Sequence, residues 1–257
     1  MPSPKRIVCL TEEPTEILYL LGEGKRIVGI SAYTCRPARA KKEKPVVSAF
    51  TGGSVKKICA LKPDLIIGFS DIQANLAKDL IAANQQVLIF NQRSIREILE
   101  VIGMVGRLVG QEKRSQQLIR QYEKNIRKLQ HRRQKSRRPR VYFEEWMDPR
   151  ICGIRWVSEL IEIAGGRDVF KKKSFGKLAK ERFVTDEEIV AAKPDIFIAS
   201  WCGKPLIREQ VVSRPGFSNI PAISKNRIYE MDPAIILQPG PACLTDGLET
   251  LSQIISA

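Results

Sequence analysis

Two stretches decide the fold: Ala60-Leu61-Lys62-Pro63-Asp64-Leu65-Ile66-Ile67 and Ala192-Lys193-Pro194-Asp195-Ile196-Phe197-Ile198. Each closes the same kind of unit. A hydroxyl residue (Ser54, Thr185) precedes an apolar helical face (Val55 and Ile58; Ile189 and Val190), then comes the Lys-Pro-Asp corner and an apolar strand. Proline removes an amide donor and ends the helix, and the β-branched run beyond it suits a buried strand. Pro63 and Pro194 lie much too far apart for a solenoid period, so the echo predicts two related α/β lobes. A cleft between two lobes is a natural place for a ligand.

The pattern around the first copy extends this plan. Strands are predicted at 6–10, 27–30, 65–69 and 87–90, alternating with helices at 15–21, 54–61 and 72–83. Such alternation implies a parallel sheet covered on both faces. Ser94-Ile95-Arg96-Glu97 reads as a capping box opening a helix to about residue 109, and Gly103 and Gly106 within it imply a closely packed neighbour. Residues 111–134 contain no proline or glycine, and Leu118, Ile119, Tyr122, Ile126 and Leu129 fall at helical spacing. This predicts an amphipathic helix of ~36 Å, long enough to bridge two lobes and to limit their closure.

Around the second copy the plan repeats. Strands are predicted at 140–143, 196–199 and 227–231, and helices at 154–164, after a Thr185-x-x-Glu188 cap, and at 246–255. The expected organisation is an N-terminal α/β lobe over 1–108, a linking helix and basic linker over 109–138, and a C-terminal α/β lobe over 139–257.

Composition bounds the function. The 257 residues are 43% hydrophobic and 28% charged, as in an ordinary globular protein, and no apolar run approaches the ~18 residues of a membrane span. The residues before Thr11 are too short an apolar run for a signal-peptide core, which predicts a cytoplasmic chain, or a periplasmic one if the chain was trimmed. Six cysteines without short spacing do not make a disulfide framework. Cys9 and Cys59 read as core residues, while Cys35, Cys152 and Cys202 fall in predicted loops. The net charge of +15 is concentrated between Lys124 and Arg140, through Arg127, Lys128, Arg132, Arg133, Lys135, Arg137 and Arg138. A solvated helix face is the plainer reading; without interleaved aromatics the run does not read as a nucleic-acid site.

What is missing narrows the chemistry further. The single histidine, His131, rules out a metal site of several imidazoles and disfavours a Ser-His or Cys-His pair. There is no Walker A loop, and Gly22-Glu23-Gly24 does not complete a dinucleotide fingerprint. Glu144 and Glu145 are adjacent in or beside a strand, so their side chains should diverge. The residues do not argue for an enzyme. Aromatic residues at strand ends remain: Tyr33, Phe50, Trp146 and Trp201, where open parallel sheets bind ligands. Trp156, inside a helical pattern, reads as packing.

At these residues the chain resembles a known family. Val28-Gly29-Ile30-Ser31-Ala32-Tyr33, the Lys62-Pro63-Asp64 corner, Glu145-Trp146-Met147-Asp148-Pro149, Ala164-Gly165-Gly166 and Pro239-Gly240-Pro241 look like the periplasmic-binding-protein family for iron–siderophores and vitamin B12. Glu-Trp-x-Asp-Pro, Ser200-Trp201-Cys202-Gly203 and Pro-Gly-Pro resemble its cobalamin-binding branch. The resemblance implies two Rossmann-like lobes with central parallel sheets, joined by a single long backbone helix, and a shallow corrinoid cleft. It implies ligand contacts from Tyr33 and Phe50 in the first lobe, and from Trp146, Trp201 and the loop 236–241, with Gln238 and Pro239, in the second.

The expected function is non-enzymatic binding of cobalamin or a related corrinoid, by a monomer with no intrinsic cofactor or metal. Iron–siderophore or haem binding, and an interaction role for the basic helix, are the alternatives. Family members offer an acidic residue on each lobe to a membrane permease, but Lys56 and Leu237 occupy those positions here, which puts a permease partner in question.

Overall fold

The computed structural model describes residues 3–133 and 138–257, apart from the side chains of Arg132 and Arg133. The chain divides into two compact α/β units, one formed by Met1–Gln92 with Arg96–Gln121, the other by Arg93–Ile95 with Tyr122–Ala257.

The first unit holds a five-stranded sheet in the order β3-β2-β1-β4-β5. Its strands are β1 Ile7–Cys9, β2 Ile27–Ser31, β3 Val46–Ser48, β4 Leu65–Phe69 and β5 Val87–Phe90, all parallel. Connecting helices cover the sheet, as parallel strands joined by crossovers require. Helices Glu12–Leu20, Val55–Ala60, Ala74–Ala82 and Ile95–Leu108 lie close to their expected positions. Val8, Leu10, Ile58, Ile66, Leu76 and Leu80 form a fully apolar core cluster. The three-residue β3 was not legible as a period-2 pattern. Gly106 shows why a glycine interrupts its helix: an added Cβ would lie 2.2 Å from Ser115 Oγ, so helix Glu112–Arg133 approaches closely there.

The second unit contains β6 Arg140–Met147, β7 Arg150–Cys152, β8 Arg167–Asp168, β9 Ile196–Ala199 and β10 Ile228–Glu230, ordered β10-β9-β6-β7 with β8 also on β6. Strands β6, β8, β9 and β10 are parallel, as expected, and one antiparallel strand, β7, is added to them. Strand β6 runs on past residue 143 to Met147 and turns back antiparallel through Asp148-Pro149 into β7. Trp146 therefore lies within a strand rather than after one. The helix Glu112–Arg133 begins in the first unit and continues into the second. Of the basic run, Gln134 to Arg137 lie outside the described residues, as do the side chains of Arg132 and Arg133.

The repeated corner holds in detail. Ser54 Oγ accepts from the Lys57 amide and Thr185 Oγ1 from the Glu188 amide, each at 3.2 Å, and each caps its helix. Both helices end on a lysine in the left-handed region, Lys62 at φ 48° and Lys193 at φ 45°. The aspartate then ties the corner to the start of a central strand. Asp64 accepts the amides of Lys5 and Arg6 at 2.7 and 3.0 Å. Asp195 accepts the amide of Arg140 at 2.9 Å and pairs with its guanidinium.

Candidate functional site

In the first unit the chain order reverses between β1 and β4, and open α/β sheets bind ligands at the carboxyl ends flanking such a point. The buried Gln73 occupies that place. Its Oε1 accepts the Phe69 amide at 3.0 Å, while Nε2 donates to the Leu10 carbonyl at 3.1 Å and the Phe50 carbonyl at 3.4 Å. One amide thus ties the ends of β1 and β4 to the loop carrying Phe50. Gly68 makes room for it, since a Cβ there would meet Gln73 Oε1 at 2.5 Å. Beside it Ser70 is held at φ 61°, a strained conformation of the kind that gathers at functional sites.

Phe50 stands at the tip of a turn closed by the Ser48–Gly53 bridge. It meets Tyr33 edge-to-face, centroids 6.1 Å apart and planes at 71°. The two rings remain 47% and 51% exposed, and Ile72 nearby in sequence to Gln73 is exposed as well. Large apolar side chains displayed together at strand ends are unusual on a surface without a partner.

The same end of this sheet carries a buried acidic group. Glu12, Glu13 and Glu16 open helix Glu12–Leu20 and are all buried. Burial, reinforced by the neighbouring Glu13 charge, pushes the Glu12 carboxyl up from an ordinary 4.5 to about 8. Burial raises Glu13 in the same direction. Glu16 is paired with Arg36 at 2.7 Å. Glu12 therefore holds its proton at neutral pH, and the strand-end face is less acidic than its sequence implies.

In the second unit, Glu144 and Glu145 do diverge. Glu144, fully buried, accepts two bonds from Arg214 at 2.7 and 2.9 Å and one from Tyr142 at 2.9 Å. Glu145 forms a bidentate pair with the buried Arg182, which also donates to the Cys152 carbonyl at 2.7 Å. Between these two anchors and the turn sits Trp146. Its Nε1 donates to the Asp148 carbonyl at 2.9 Å, and Lys204 Nζ lies 4.8 Å from its ring centroid. The half-buried Trp146 offers an aromatic surface with a cation beside it.

Trp201 departs from expectation. It is 3% exposed and packs into the core cluster with Tyr142, Phe197 and Phe217, so its ring is not displayed. Its Nε1 has no acceptor within reach among the described residues. Pro239 is buried and Gln238 half-buried. The loop before them is fixed by Trp156, whose Nε1 donates to the Ile236 carbonyl at 2.9 Å, in keeping with its reading as a packing residue. Cys152, expected in a loop, is buried in β7 with its thiol pushed up to about 12, chiefly by burial. Cys9 is likewise buried and raised to about 12. Cys35 and Cys202 are exposed.

Among the described residues no group of three or more His, Cys, Asp or Glu could hold a metal ion, and no helix is long and apolar enough to cross a membrane. Arg138 donates to the Gly166 carbonyl at 2.5 Å and pairs with Glu162 at 2.9 Å, so it is not a free contact for an anionic partner.

Two α/β units, the first with exposed aromatic side chains at its switch point, are the architecture seen in solute-binding proteins. Residues 7–235 match the family described as periplasmic binding protein, and the chain belongs to that family. It is 29% identical to an uncharacterized ABC transporter substrate-binding lipoprotein, YvrC, of Bacillus subtilis, over 98% of this chain and 80% of the relative. It is 25% identical to a vitamin B12-binding protein of Vibrio vulnificus, over 93% of this chain and 86% of the relative. Among solved structures, a possible iron-binding (periplasmic solute-binding) protein of Staphylococcus epidermidis superposes with a TM-score of 0.85 at 25% identity, covering all of both chains.

Proposed function

We propose that this chain binds cobalamin or a related corrinoid, without transforming it, as the substrate-binding protein of an ABC importer. The observation that carries this reading is the exposed Tyr33–Phe50 pair, held at the switch point of the first sheet by Gln73. Similarity to vitamin B12-binding relatives supports the corrinoid as guest. A corrin macrocycle is broad and largely flat, and apolar rings that shed water against it supply affinity. If Tyr33, Phe50 and Trp146 each hide roughly 60 Å², each contributes about 1.5 kcal/mol at 25 cal/mol/Å². Three such contacts leave the rest of a micromolar affinity, about 8 kcal/mol, to hydrogen bonds and to Gln238 and Pro239. With a single histidine on the long helix, no imidazole is assigned to the cobalt.

A permease partner follows from the family, although Lys56 and Leu237 would meet it where acids are expected. The lipoprotein relative favours the periplasmic placement, and the cytoplasmic expectation is not carried forward. Calorimetric titration with cyanocobalamin tests the reading: one site per chain is expected, and no heat at roughly tens of micromolar would defeat it.

A second reading, an iron–siderophore or haem guest, draws on the possible iron-binding neighbour and on the +15 charge, which suits an anionic chelate. Haemin and a ferric hydroxamate in the same titration separate the two.

A further inference from the structure

Helix Glu112–Arg133 has two unlike faces. Ser115, Tyr122 and Ile126 are buried, and Leu118 and Leu129 are partly buried on the same side. At about 100° per residue, Lys113, Arg120, Lys124, Arg127 and Lys128 fall within roughly 100° of arc on the opposite side. All five are exposed. At about 1.5 Å per residue they form a row roughly 22 Å long. The two acids of the helix, Glu112 and Glu123, both lie to one flank of this row rather than within it.

The row is not arranged as a solvated helix face usually is. Such a face alternates sign at i,i+4 and gains from each pair. Here one acid–base pair forms along the helix, Glu123 with Arg127, at a long 3.8 Å. Lys113, Arg120, Lys124 and Lys128 have no ion pair among the described residues. Arg120 and Lys124, then Lys124 and Lys128, are like charges at i,i+4, a spacing that destabilises a helix. An anionic partner along the row would relieve that repulsion.

We propose that this row is a peripheral docking face for an anionic phospholipid bilayer, with the helix lying along the headgroups. A flat charged surface meets a straight row of cations along its whole length and asks for no register. A duplex nucleic acid carries its phosphates on a curved path, so a straight row meets few of them at once. Single strands are held by aromatic stacking, and the row contains no aromatic residue. The apolar face of the helix is already packed within the protein, so the contact is electrostatic and nothing inserts. The proposal draws on the importer reading only in that a bilayer then lies within reach, and it does not depend on the guest.

Co-sedimentation of the full chain with phosphatidylcholine vesicles carrying rising proportions of phosphatidylglycerol tests it. Binding should climb with the anionic fraction and be lost at high salt, where the headgroup charges are screened. Arg120→Gln, Lys124→Gln and Lys128→Gln together should lower the partition coefficient roughly a hundredfold, about fivefold for each cation. A chain of +15 is drawn to any polyanion, so a charge-matched control is needed. Lys57→Gln, Lys78→Gln and Lys225→Gln together remove the same charge from other exposed positions. That control should stay within about threefold of the parent, since distant exposed charges are screened. The vesicles hold no corrinoid, so failure here leaves the cyanocobalamin titration untouched. No partitioning at any anionic fraction, equal losses in the two triple variants, or row-dependent binding to duplex DNA without vesicle binding would overturn the proposal.

Discussion

Arg214 donates two hydrogen bonds, of 2.7 and 2.9 Å, to the two oxygens of Glu144 in the middle of β6, and both side chains are buried. The guanidinium also lies 5.9 and 5.4 Å from the ring centroids of Phe197 and Phe217. Tyr142, its hydroxyl raised by burial and by the Glu144 charge, stays protonated and donates to the same carboxylate. Arg214→Met strands that carboxylate and should cost about 3–5 kcal/mol in denaturant unfolding. Arg214→Met with Glu144→Leu should recover part of the loss, because an apolar pair needs no counter-charge. A single variant as stable as the parent would show the pair to be dispensable.

The ring positions make unequal predictions for ligand binding. Tyr33→Ala and Phe50→Ala should each weaken cyanocobalamin by roughly tenfold, in line with about 1.5 kcal/mol of lost contact. Trp201→Ala should instead lower unfolding stability by about 3–5 kcal/mol, as expected for a ring removed from a core. Lys204→Met, which takes the cation from beside Trp146, should weaken an anionic guest such as haemin more than an uncharged one. Equal effects on both guests would remove Lys204 from any role in charge selection.

The two Lys-Pro-Asp corners hold a lysine where glycine is at ease. A left-handed φ costs an L-residue roughly 1–2 kcal/mol, offset by glycine's greater chain entropy when unfolded. Lys193→Gly should therefore raise stability by about 0.5–1 kcal/mol in chemical denaturation. Destabilisation would mean that the lysine side chain contributes more than its backbone strain removes.

The pH dependence of stability follows from Glu12. Its folded pKa of about 8 exceeds the ordinary 4.5, so between these values the folded chain holds a proton that the unfolded chain has released. Stability is then fully present below about pH 4.5 and falls as pH rises towards 8. Glu13 adds to the same trend. Thermal unfolding in matched salt should show a lower midpoint at pH 8 than at pH 5.5, and Glu12→Gln should flatten the slope. A midpoint that rises across this interval would contradict the assignment.

Much of this architecture could be read from residue order, because its signals are local. Strands β4, β5 and β9 match their predicted limits, each an apolar run bounded by turn-forming or polar residues. Strands β3 and β7 are three residues each, too short for a two-residue period to register. The site divides along the same line. Tyr33 is recognisable as a ring following a strand and Phe50 as a ring before the Thr51-Gly52-Gly53 turn, but a tryptophan at a strand end can face inward or outward, and Trp201 faces inward. Gln73 carried no local signal: its partner Leu10 is 63 positions away, and its role exists only in the folded sheet. The burial of Glu12 and Glu13 was equally hidden, since first-turn acids ordinarily lie in solvent.

The proton on Glu12 has a thermochemical consequence. Near neutral pH the chain must draw a hydrogen ion from its surroundings as it folds, and the buffer supplies it. The measured heat of unfolding should then vary with the buffer's own ionisation enthalpy, differing between phosphate and Tris at equal pH. In that sense a fraction of this protein's apparent folding enthalpy belongs to the solution around it.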